Sequence, residues 1–317
     1  MWWRGAHSKI YAFEMSEYPT FSVVIPTYNR GALIEATLES VLTQTYPHYE
    51  VVVVDDCSTD NTDEVIAPYV QSGKVRYIRN ECNSERAHSR NVGLDAAIGD
   101  FATLLDSDDF MYPTNLADAA AFARANPELK CFHNLYEFVD ADRKVLRQFP
   151  LAPLQNQLKA IAMGNFMACV GDFMHRDIYK QYKFDTFLPL SGSEDWDFWL
   201  RVLADHKVGR INKVNNGVLQ HSGRSVNNQN IETLRIGLEY VSDKIAKDAH
   251  LAEVYRPYLN RIRSNSYLYL AMLANGIGLF HVARHYIRTA VKWDPPQLVN
   301  PTFWRVVRRA LLKLRSP

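Results

Sequence analysis

The hydrophobic positions in the first third of the chain fall into two alternating patterns. Short runs of apolar, mostly β-branched residues, or an apolar–polar alternation, predict strands at residues 21–26, 51–54, 74–79 and 101–105. Between them, apolar residues three or four positions apart predict helices at residues 33–42, 60–70 and 86–97. Strands that alternate with helices in this way are typical of a parallel sheet covered on both faces. The sequence therefore predicts an α/β fold.

The last part of the chain has a different pattern. From about residue 228 the apolar spacing is helical throughout, and it predicts helices at residues 231–249, 254–275, 279–292 and 301–315. We therefore expect three regions, which are an N-terminal leader at 1–19, an α/β domain at 20–227 and an all-helical region at 228–317.

Composition narrows the class of protein. The chain has 317 residues, of which 47% are hydrophobic and 22% charged, as in soluble globular proteins. A net charge of only +1 argues against a nucleic-acid partner. Four cysteines without metal-ligand or disulfide spacing indicate a reducing compartment. No apolar run has the length of a membrane span or the form of a signal peptide, so we expect a cytoplasmic protein.

Polar clusters follow three of the predicted strands. They are Thr27-Tyr28-Asn29, Asp55-Asp56 and Asp106-Ser107-Asp108-Asp109. Ligands of parallel α/β sheets bind beyond the carboxyl ends of the strands, so these clusters are expected in one cleft. The sequence contains neither the glycine-rich fingerprint of dinucleotide-binding folds nor a P-loop. Paired aspartates supply the oxygen ligands that Mg²⁺ or Mn²⁺ prefers, and such an ion can hold a pyrophosphate without a glycine-rich loop.

Five segments that include these clusters occur in the order typical of a known family. They are residues 22–30, 53–60, 90–94, 104–109 and 194–201. On these segments the chain resembles the family 2 inverting glycosyltransferases with the GT-A type nucleotide-sugar-binding fold. The resemblance covers about residues 20–225. It implies a Rossmann-like, mostly parallel sheet flanked by helices, with the C-terminal helical region outside the match.

The resemblance also implies a donor site and a metal site. The residues implied for the nucleotide-sugar donor are Pro26, Thr27, Tyr28, Asp56, Arg86, Arg90 and Asp106. Asp56 would accept the imide hydrogen of a uracil or thymine base, while the choice between Arg86 and Arg90 for the diphosphate stays open. The residues implied for a divalent cation, Mn²⁺ or Mg²⁺, are Asp108, Asp106 and His221.

For catalysis, the resemblance implies that Asp195 is the general base that deprotonates the acceptor hydroxyl. Glu194 and Asp197 remain alternatives for that role, and Glu194 and Trp196 are expected beside the acceptor. The acids also have an ordinary structural interpretation, because carboxylates are common in turns and at helix N-termini.

The implied function is metal-dependent, inverting transfer of a sugar from a UDP-sugar to a hydroxyl of a glycan. The acceptor would belong to cell-surface polysaccharide or lipid-linked oligosaccharide synthesis. One alternative is a non-catalytic nucleotide-sugar-binding module. A second is a sugar-phosphate nucleotidyltransferase, although the segment Pro26–Arg30 replaces the glycine-rich basic loop that such enzymes carry.

The predicted last helix is basic and amphipathic. It contains five cations and no acid, with Phe303, Val307, Leu311 and Leu314 at helical spacing. This pattern is typical both of a helix that binds anionic lipid and of a helix that packs on its neighbours. Peripheral contact with the inner face of a membrane is therefore one of two open interpretations.

Overall fold

The structure is a computed structural model, and it describes residues 17–148, 153–224, 230–299 and 301–312. Most of the predicted leader at residues 1–19 lies outside the described residues. The same holds for Lys313, Leu314 and Arg315 of the predicted last helix.

Nine strands of the described residues form one sheet. The strands are β1 (Phe21–Thr27), β2 (Tyr49–Asp55), β3 (Arg76–Arg79), β4 (Phe101–Leu104), β5 (Phe110–Met111), β6 (Cys131–Val139), β7 (Val145–Gln148), β8 (Asp172–His175) and β9 (Val208–Leu219). Their spatial order is β3-β2-β1-β4-β8-β6-β9-β5, and β7 pairs with β6 outside this order.

Twelve α-helices flank or follow the sheet in the described parts of the chain. They are α1 (Ile34–Leu42), α2 (Thr62–Gln71), α3 (Glu85–Ala96), α4 (Asn115–Ala125), α5 (Gln157–Met163), α6 (Arg176–Gln181), α7 (Glu194–Asp205), α8 (Ile231–Lys247), α9 (Ala249–Val254), α10 (Leu259–Gly276), α11 (Phe280–Trp293) and α12 (Pro301–Leu312).

The predicted parallel sheet is confirmed for the first half of the domain. β3, β2, β1 and β4 are parallel neighbours, and each of the three connections between them in sequence contains a helix. The second half is mixed, because β8 runs antiparallel to both β4 and β6, and β5 runs antiparallel to β9. The fold is therefore the expected α/β fold, with a sheet that is parallel from β3 to β4 and mixed beyond β4.

Apolar side chains cover both faces of the parallel strands. Val23 and Val53 belong to one hydrophobic cluster, and Val24 and Val54 belong to a second cluster on the other face. All four valines are fully buried. This double burial explains why the strands are continuous apolar runs rather than alternating ones.

Helix α3 lies unusually close to the sheet at Gly93. A Cβ atom added at Gly93 would collide with the Cγ1 methyl of Val24 on β1. The glycine is therefore needed for close packing of the helix and not for an unusual backbone angle. The same helix carries Arg86 and Arg90, so this contact fixes the distance of both arginines from the strand ends.

The C-terminal helices share the core of the α/β domain. Leu234 of α8 and Ile262 of α10 belong to the same buried cluster as Trp199 and Leu200 of α7. The buried hydroxyl of Tyr255 also donates to the backbone oxygen of Leu200, at 2.7 Å. A domain boundary after residue 227 stays a prediction, and the packing across it is continuous.

All four cysteines carry free thiols. In the described residues, no helix combines the length and the apolar character that crossing a bilayer requires.

Candidate active site

A cleft of about 250 Å³ opens at the carboxyl ends of β1, β2 and β4. Its walls come from all three polar clusters that the sequence singled out. The lining residues are Pro26, Thr27, Tyr28, Arg30, Asp56, Asn83, Glu85, Arg86, Ser89, Asp106, Ser107 and Asp108. The expectation that these clusters meet in one cleft is therefore confirmed.

Asp56 is a buried carboxylate on the cleft wall. Its Oδ1 accepts hydrogen bonds from Asn80 Nδ2, at 2.7 Å, and from the backbone amide of Ser84, at 3.0 Å. Its own amide donates to the carbonyl of Thr27 at 2.8 Å, which joins the ends of β1 and β2. Both side-chain bonds fall on Oδ1, so the orientation of the carboxylate is fixed through one oxygen.

Two further groups beside Asp56 suit a flat polar ligand. The ring of Tyr28 is 41% exposed and lies on the cleft wall. The hydroxyl of Thr27 is buried and has no hydrogen-bond partner among the described residues. A buried hydroxyl without a partner is costly, and a ligand in the cleft would supply one.

The carboxylate of Asp55, unlike that of Asp56, is directed into the protein. Its carboxylate is fully buried and accepts from Ser58 on Oδ1. Its Oδ2 accepts from Tyr77, at 2.6 Å, and from Arg79, at 2.9 Å. All of its acceptor capacity is directed into the protein, so of the two acids only Asp56 lines the cleft.

The turn after β4 brings three carboxylates together. Ligand oxygens of Asp106, Asp108 and Asp109 lie within 4.8 Å of one another. His221 Nε2 lies 3.0 Å from Asp108 Oδ2. Adjacent ligands of an octahedral ion with bonds of about 2.1 Å are themselves about 3 Å apart. The oxygen and nitrogen donors here therefore fit a hard divalent cation such as Mg²⁺ or Mn²⁺.

Asp109 is buried below this turn. Its Oδ1 accepts from the backbone amide of Leu219 at the end of β9, at 3.0 Å. Burial and the nearby charges of Asp106 and Asp108 raise the pKa of Asp109 well above its usual range. The bond to Leu219 ties the turn to the segment that carries His221, so Asp109 is an anchor for the cluster.

The two predicted arginines of α3 have different environments. Arg90 is 2% exposed and donates to Asp106 Oδ1 at 3.0 Å and to Glu194 Oε1 at 2.6 Å. Arg86 lines the cleft, and its Nε lies 4.0 Å from the same Glu194 oxygen. Of the two arginines, only Arg86 therefore lines the cleft, whereas Arg90 connects the turn after β4 to the start of α7.

Asp195 lies in the first turn of α7. It is half-buried, and its Oδ1 accepts from the backbone amide of Trp196 at 2.7 Å. Burial and then the negative charge of Glu194 raise the pKa of Asp195 to about 7, while Arg90 acts in the opposite direction. A carboxylate with a pKa near neutrality is suited to accept a proton during a reaction.

Two residues expected beside an acceptor are buried. Glu194 is 3% exposed and accepts from Arg90 and from the amide of Gly192. Trp196 is 6% exposed and packs in the hydrophobic cluster, and its indole donates to the carbonyl of Ile161 at 2.8 Å. An indole packed in this way cannot offer its face to a sugar, so the expectation for Trp196 is not retained.

Arg30 was missing from the predicted site and is part of the cleft. Its Nη2 lies 3.6 Å from Asp108 Oδ2 and donates to the carbonyl of Gly223 at 3.3 Å. Its place at the end of the first motif, three residues after β1, was the available signal. Three further residues that line the cleft were not predicted, because their spacing is that of an ordinary helix start. They are Asn83, Glu85 and Ser89.

Comparison with known proteins identifies the family. The sequence model described as "Glycosyl transferase family 2" matches residues 22–183, which is just over half of the chain. The chain belongs to glycosyltransferase family 2. It is therefore an enzyme that transfers sugars, and the alternatives of a nucleotidyltransferase and of a non-catalytic module do not apply.

Named relatives of this glycosyltransferase include bacterial enzymes of glycan synthesis. The Escherichia coli "UDP-Glc:alpha-D-GlcNAc-diphosphoundecaprenol beta-1,3-glucosyltransferase WfgD" is 28% identical over 60% of this chain and 72% of the relative. Bacillus subtilis (strain 168) TuaG, named as a candidate glycosyltransferase of teichuronic acid biosynthesis, is 42% identical over 58% of this chain and 72% of the relative.

Solved structures confirm the GT-A fold. Staphylococcus aureus TarS 1-349 in complex with UDP-GlcNAc has a TM-score of 0.68 and 22% identity, over 93% of this chain and 89% of that one. A mannosyltransferase of Pyrobaculum calidifontis in complex with GDP-Man and Mn²⁺ has a TM-score of 0.58 and 18% identity, over 94% and 88%. The fold is thus shared by proteins that bind different nucleotides, and the fold alone does not select the donor.

Proposed function

We propose that this family 2 glycosyltransferase moves a sugar from a UDP-sugar to a hydroxyl of a glycan acceptor, with inversion and with a divalent cation. The observation that carries the proposal is the single cleft that combines Asp56 with the carboxylates of Asp106 and Asp108. Asp195 lies outside this lining, and the start of α7 is connected to Asp106 through the bonds of Arg90 to Asp106 and Glu194.

The base of the donor would lie between Tyr28 and Asp56. A carboxylate only accepts hydrogen bonds, so it favours the imide N–H of uracil over the acceptor nitrogen at the same position of cytosine. Asn80 and Ser84 hold Asp56 in place through Oδ1. The unpartnered hydroxyl of Thr27 and the backbone at Pro26 complete this part of the donor site.

The diphosphate would lie over the turn after β4. Asp108, Asp106 and His221 are the proposed ligands of the Mn²⁺ or Mg²⁺ ion, which when bound neutralises charge on the leaving diphosphate. Arg86 on the cleft wall and Arg30 beside Asp108 are positioned to contact the phosphate oxygens. Arg90 donates a hydrogen bond to Asp106 and so holds this carboxylate in position.

Asp195 is the proposed general base. It removes the proton from the acceptor hydroxyl as that oxygen forms a bond to the anomeric carbon, and the bond from that carbon to the diphosphate oxygen breaks. Attack from the face opposite the leaving group inverts the anomeric centre. Glu194 acts through its neighbours, because it is buried and holds Arg90 while its charge raises the pKa of Asp195.

The acceptor is proposed from the relatives, whose names include a lipid-linked GlcNAc diphosphate and a cell-wall polymer. By this association the acceptor is a glycan of cell-surface polysaccharide or lipid-linked oligosaccharide synthesis. The enzyme would then work in the cytoplasm, with its C-terminal helix in contact with the inner face of the membrane.

The test is a calorimetric titration of the full chain with UDP-, GDP-, dTDP- and CMP-sugars, with and without Mn²⁺. Tight binding of UDP-sugars that depends on Mn²⁺ is expected. In parallel, Asp195→Asn should lower the transfer rate at least about 100-fold and leave donor affinity within about twofold. Preference for a GDP- or CMP-sugar would overturn the donor assignment, and a fully active Asp195→Asn would overturn the base assignment.

A further inference from the structure

Charge is divided unevenly along the chain. Residues 255–317 contain eleven lysines and arginines and one acid, Asp294. That acid is largely buried and ion-paired with Arg261. Since the net charge of the whole chain is only +1, the preceding residues are net acidic. A strongly basic segment in a neutral protein indicates an anionic partner at that end.

Helix α12 separates its apolar residues between two faces. Phe303, Val306 and Ala310 are buried against α10 and α11. The interpretation that this helix packs on its neighbours is therefore confirmed for one of its apolar stripes. Of the predicted stripe, Phe303 is buried and Val307 packs against the same cluster, whereas Leu311 is 62% exposed and Leu314 lies outside the described residues.

The outer face of α12 also carries large apolar side chains. Trp304 is 53% exposed and Leu312 is 56% exposed, in addition to Leu311. Arg305 and Arg308 are exposed on the same face, and Arg308 lies one helical turn from both Trp304 and Leu312. These five residues, which are Trp304, Arg305, Arg308, Leu311 and Leu312, form the outer face of α12.

The turn before α12 extends this surface. Leu298 and Val299 are 46% and 84% exposed. The indole nitrogen of Trp304 donates to the carbonyl of Leu298 at 2.6 Å, which holds the ring beside this turn. Exposed apolar side chains therefore extend from the turn to Trp304 in the first part of α12.

We propose that the outer face of α12 and the turn at Leu298–Val299 form a docking surface for an anionic lipid bilayer. Trp and Leu side chains gain free energy when they enter the boundary between headgroups and acyl chains. Arginines beside them pair with lipid phosphates, and each cation near such a surface adds about 1 kcal/mol. A nucleic acid would use the arginines but leave the leucines and valine in water, so the combination favours a membrane.

Charge on the neighbouring helix strengthens the same attraction. Arg288 and Lys292 of α11 are exposed, and α11 packs directly against α12. Long-range attraction depends on the summed charge of a region rather than on contact of each side chain with lipid. Binding is therefore expected to weaken steeply with salt.

The experiment is sedimentation of the full chain with phosphatidylcholine vesicles that contain either about one-third phosphatidylglycerol or none. Leu312→Ser and Arg308→Glu remove one apolar and one basic contribution from the outer face. Their matched controls are Ile98→Ser and Lys74→Glu, which change an exposed apolar and an exposed basic residue far from α12 in sequence. Calorimetric titration with the UDP-sugar reports donor binding separately.

Wild type and both controls should bind anionic vesicles at low salt and not bind neutral ones. Arg308→Glu should weaken binding about fivefold or more, and Leu312→Ser should also weaken it, with donor affinity unchanged for both. Failure of wild type to sediment with anionic vesicles would overturn the proposal, as would equal binding by variants and controls. A dimer in light scattering that Leu312→Ser dissociates, without vesicle binding, would show instead that the face joins two copies.

Discussion

Arg90 Nη1 lies 2.6 Å from Glu194 Oε1, and both side chains are almost completely buried. The two residues are 104 positions apart in the chain. The same guanidinium donates to Asp106, so one buried cation fixes the start of α7 relative to the proposed metal-binding turn. The position of Asp195 relative to the turn after β4 therefore depends on this contact.

The first prediction concerns the stability of this pair. Arg90→Met should destabilise the protein by about 3–5 kcal/mol, because it leaves the Glu194 carboxylate buried without its partner. The double variant Arg90→Met/Glu194→Gln should cost clearly less than the sum of the two single changes. Urea unfolding measures these differences. Arg86→Met is the control, expected to cost less than about 1 kcal/mol because Arg86 is partly exposed and its separation from Glu194 is 4.0 Å.

The second prediction concerns pH. The pKa of Asp195 is raised to about 7, and a general base works only when deprotonated, so kcat/KM should fall as the pH drops below about 7. Glu194→Gln removes a negative charge that raises this pKa, and the acidic limb should therefore move to lower pH.

The other groups that interact electrostatically with Asp195 are Arg90, Asp106, Tyr136, Cys169, Asp172 and Tyr269. Burial raises the pKa of Tyr136 above its ordinary value, so this phenol stays neutral near pH 7 and should add no step to the profile there. Initial rates between pH 5 and 9, under saturating metal, give the profile. An acidic limb that is unchanged by Glu194→Gln would contradict this account of Asp195.

The third prediction separates the two acids after β2. Asp56→Asn should weaken UDP binding by about 10- to 100-fold, because the new amide presents a donor to the imide N–H or loses the charge that attracted it. Asp55→Asn should instead lower the melting temperature, since it disturbs the bonds from Ser58, Tyr77 and Arg79. Calorimetry and thermal unfolding of both variants distinguish a ligand contact from a structural one. Equal loss of stability in both would argue against base recognition by Asp56.

The fourth prediction concerns the metal. Asp108→Asn should abolish the Mn²⁺-dependent part of UDP-sugar affinity, and EDTA should have the same effect on wild type. The control is Asp118→Asn, which changes an acid on α4 that pairs with Lys213 and does not line the cleft. If Asp108→Asn keeps the full Mn²⁺ response, the metal ligands lie elsewhere.

The fifth prediction concerns the close contact of α3 with β1. Gly93→Ala should destabilise the fold by about 1–3 kcal/mol, because the added methyl overlaps the Val24 side chain. Combining it with Val24→Ala should recover part of this loss, since the smaller residue makes room. Chemical unfolding of the two single variants and the double variant tests for this coupling. Simple additivity would contradict the packing explanation.

The strand ends could be predicted from the sequence because their physics is local. An apolar run followed by acids places those acids at the carboxyl edge of a parallel sheet, and Asp56, Asp106 and Asp108 all line the cleft. The family resemblance, which rests on the same segments, is confirmed by the family match over residues 22–183.

Features that depend on distant contacts could not be read from the sequence. Trp196 packs in the core, whereas its neighbour Asp195 is only half-buried. The sequence pattern of α7 does not predict this difference, because both residues are compatible with the first turn of a helix. The pairing of Arg90 with Glu194, and of Asn80 with Asp56, requires the folded chain. The antiparallel position of β8 was likewise unpredictable, since a short buried strand carries no signal of its direction.

The continuous core between α7 and the C-terminal helices also bears on how such enzymes diversify. Trp199 and Leu200 pack against Leu234 and Ile262, so the tail is an internal support of the helix that carries the proposed base. Exchange of this tail between homologous proteins would therefore succeed only if the matching residues of α7 changed at the same time.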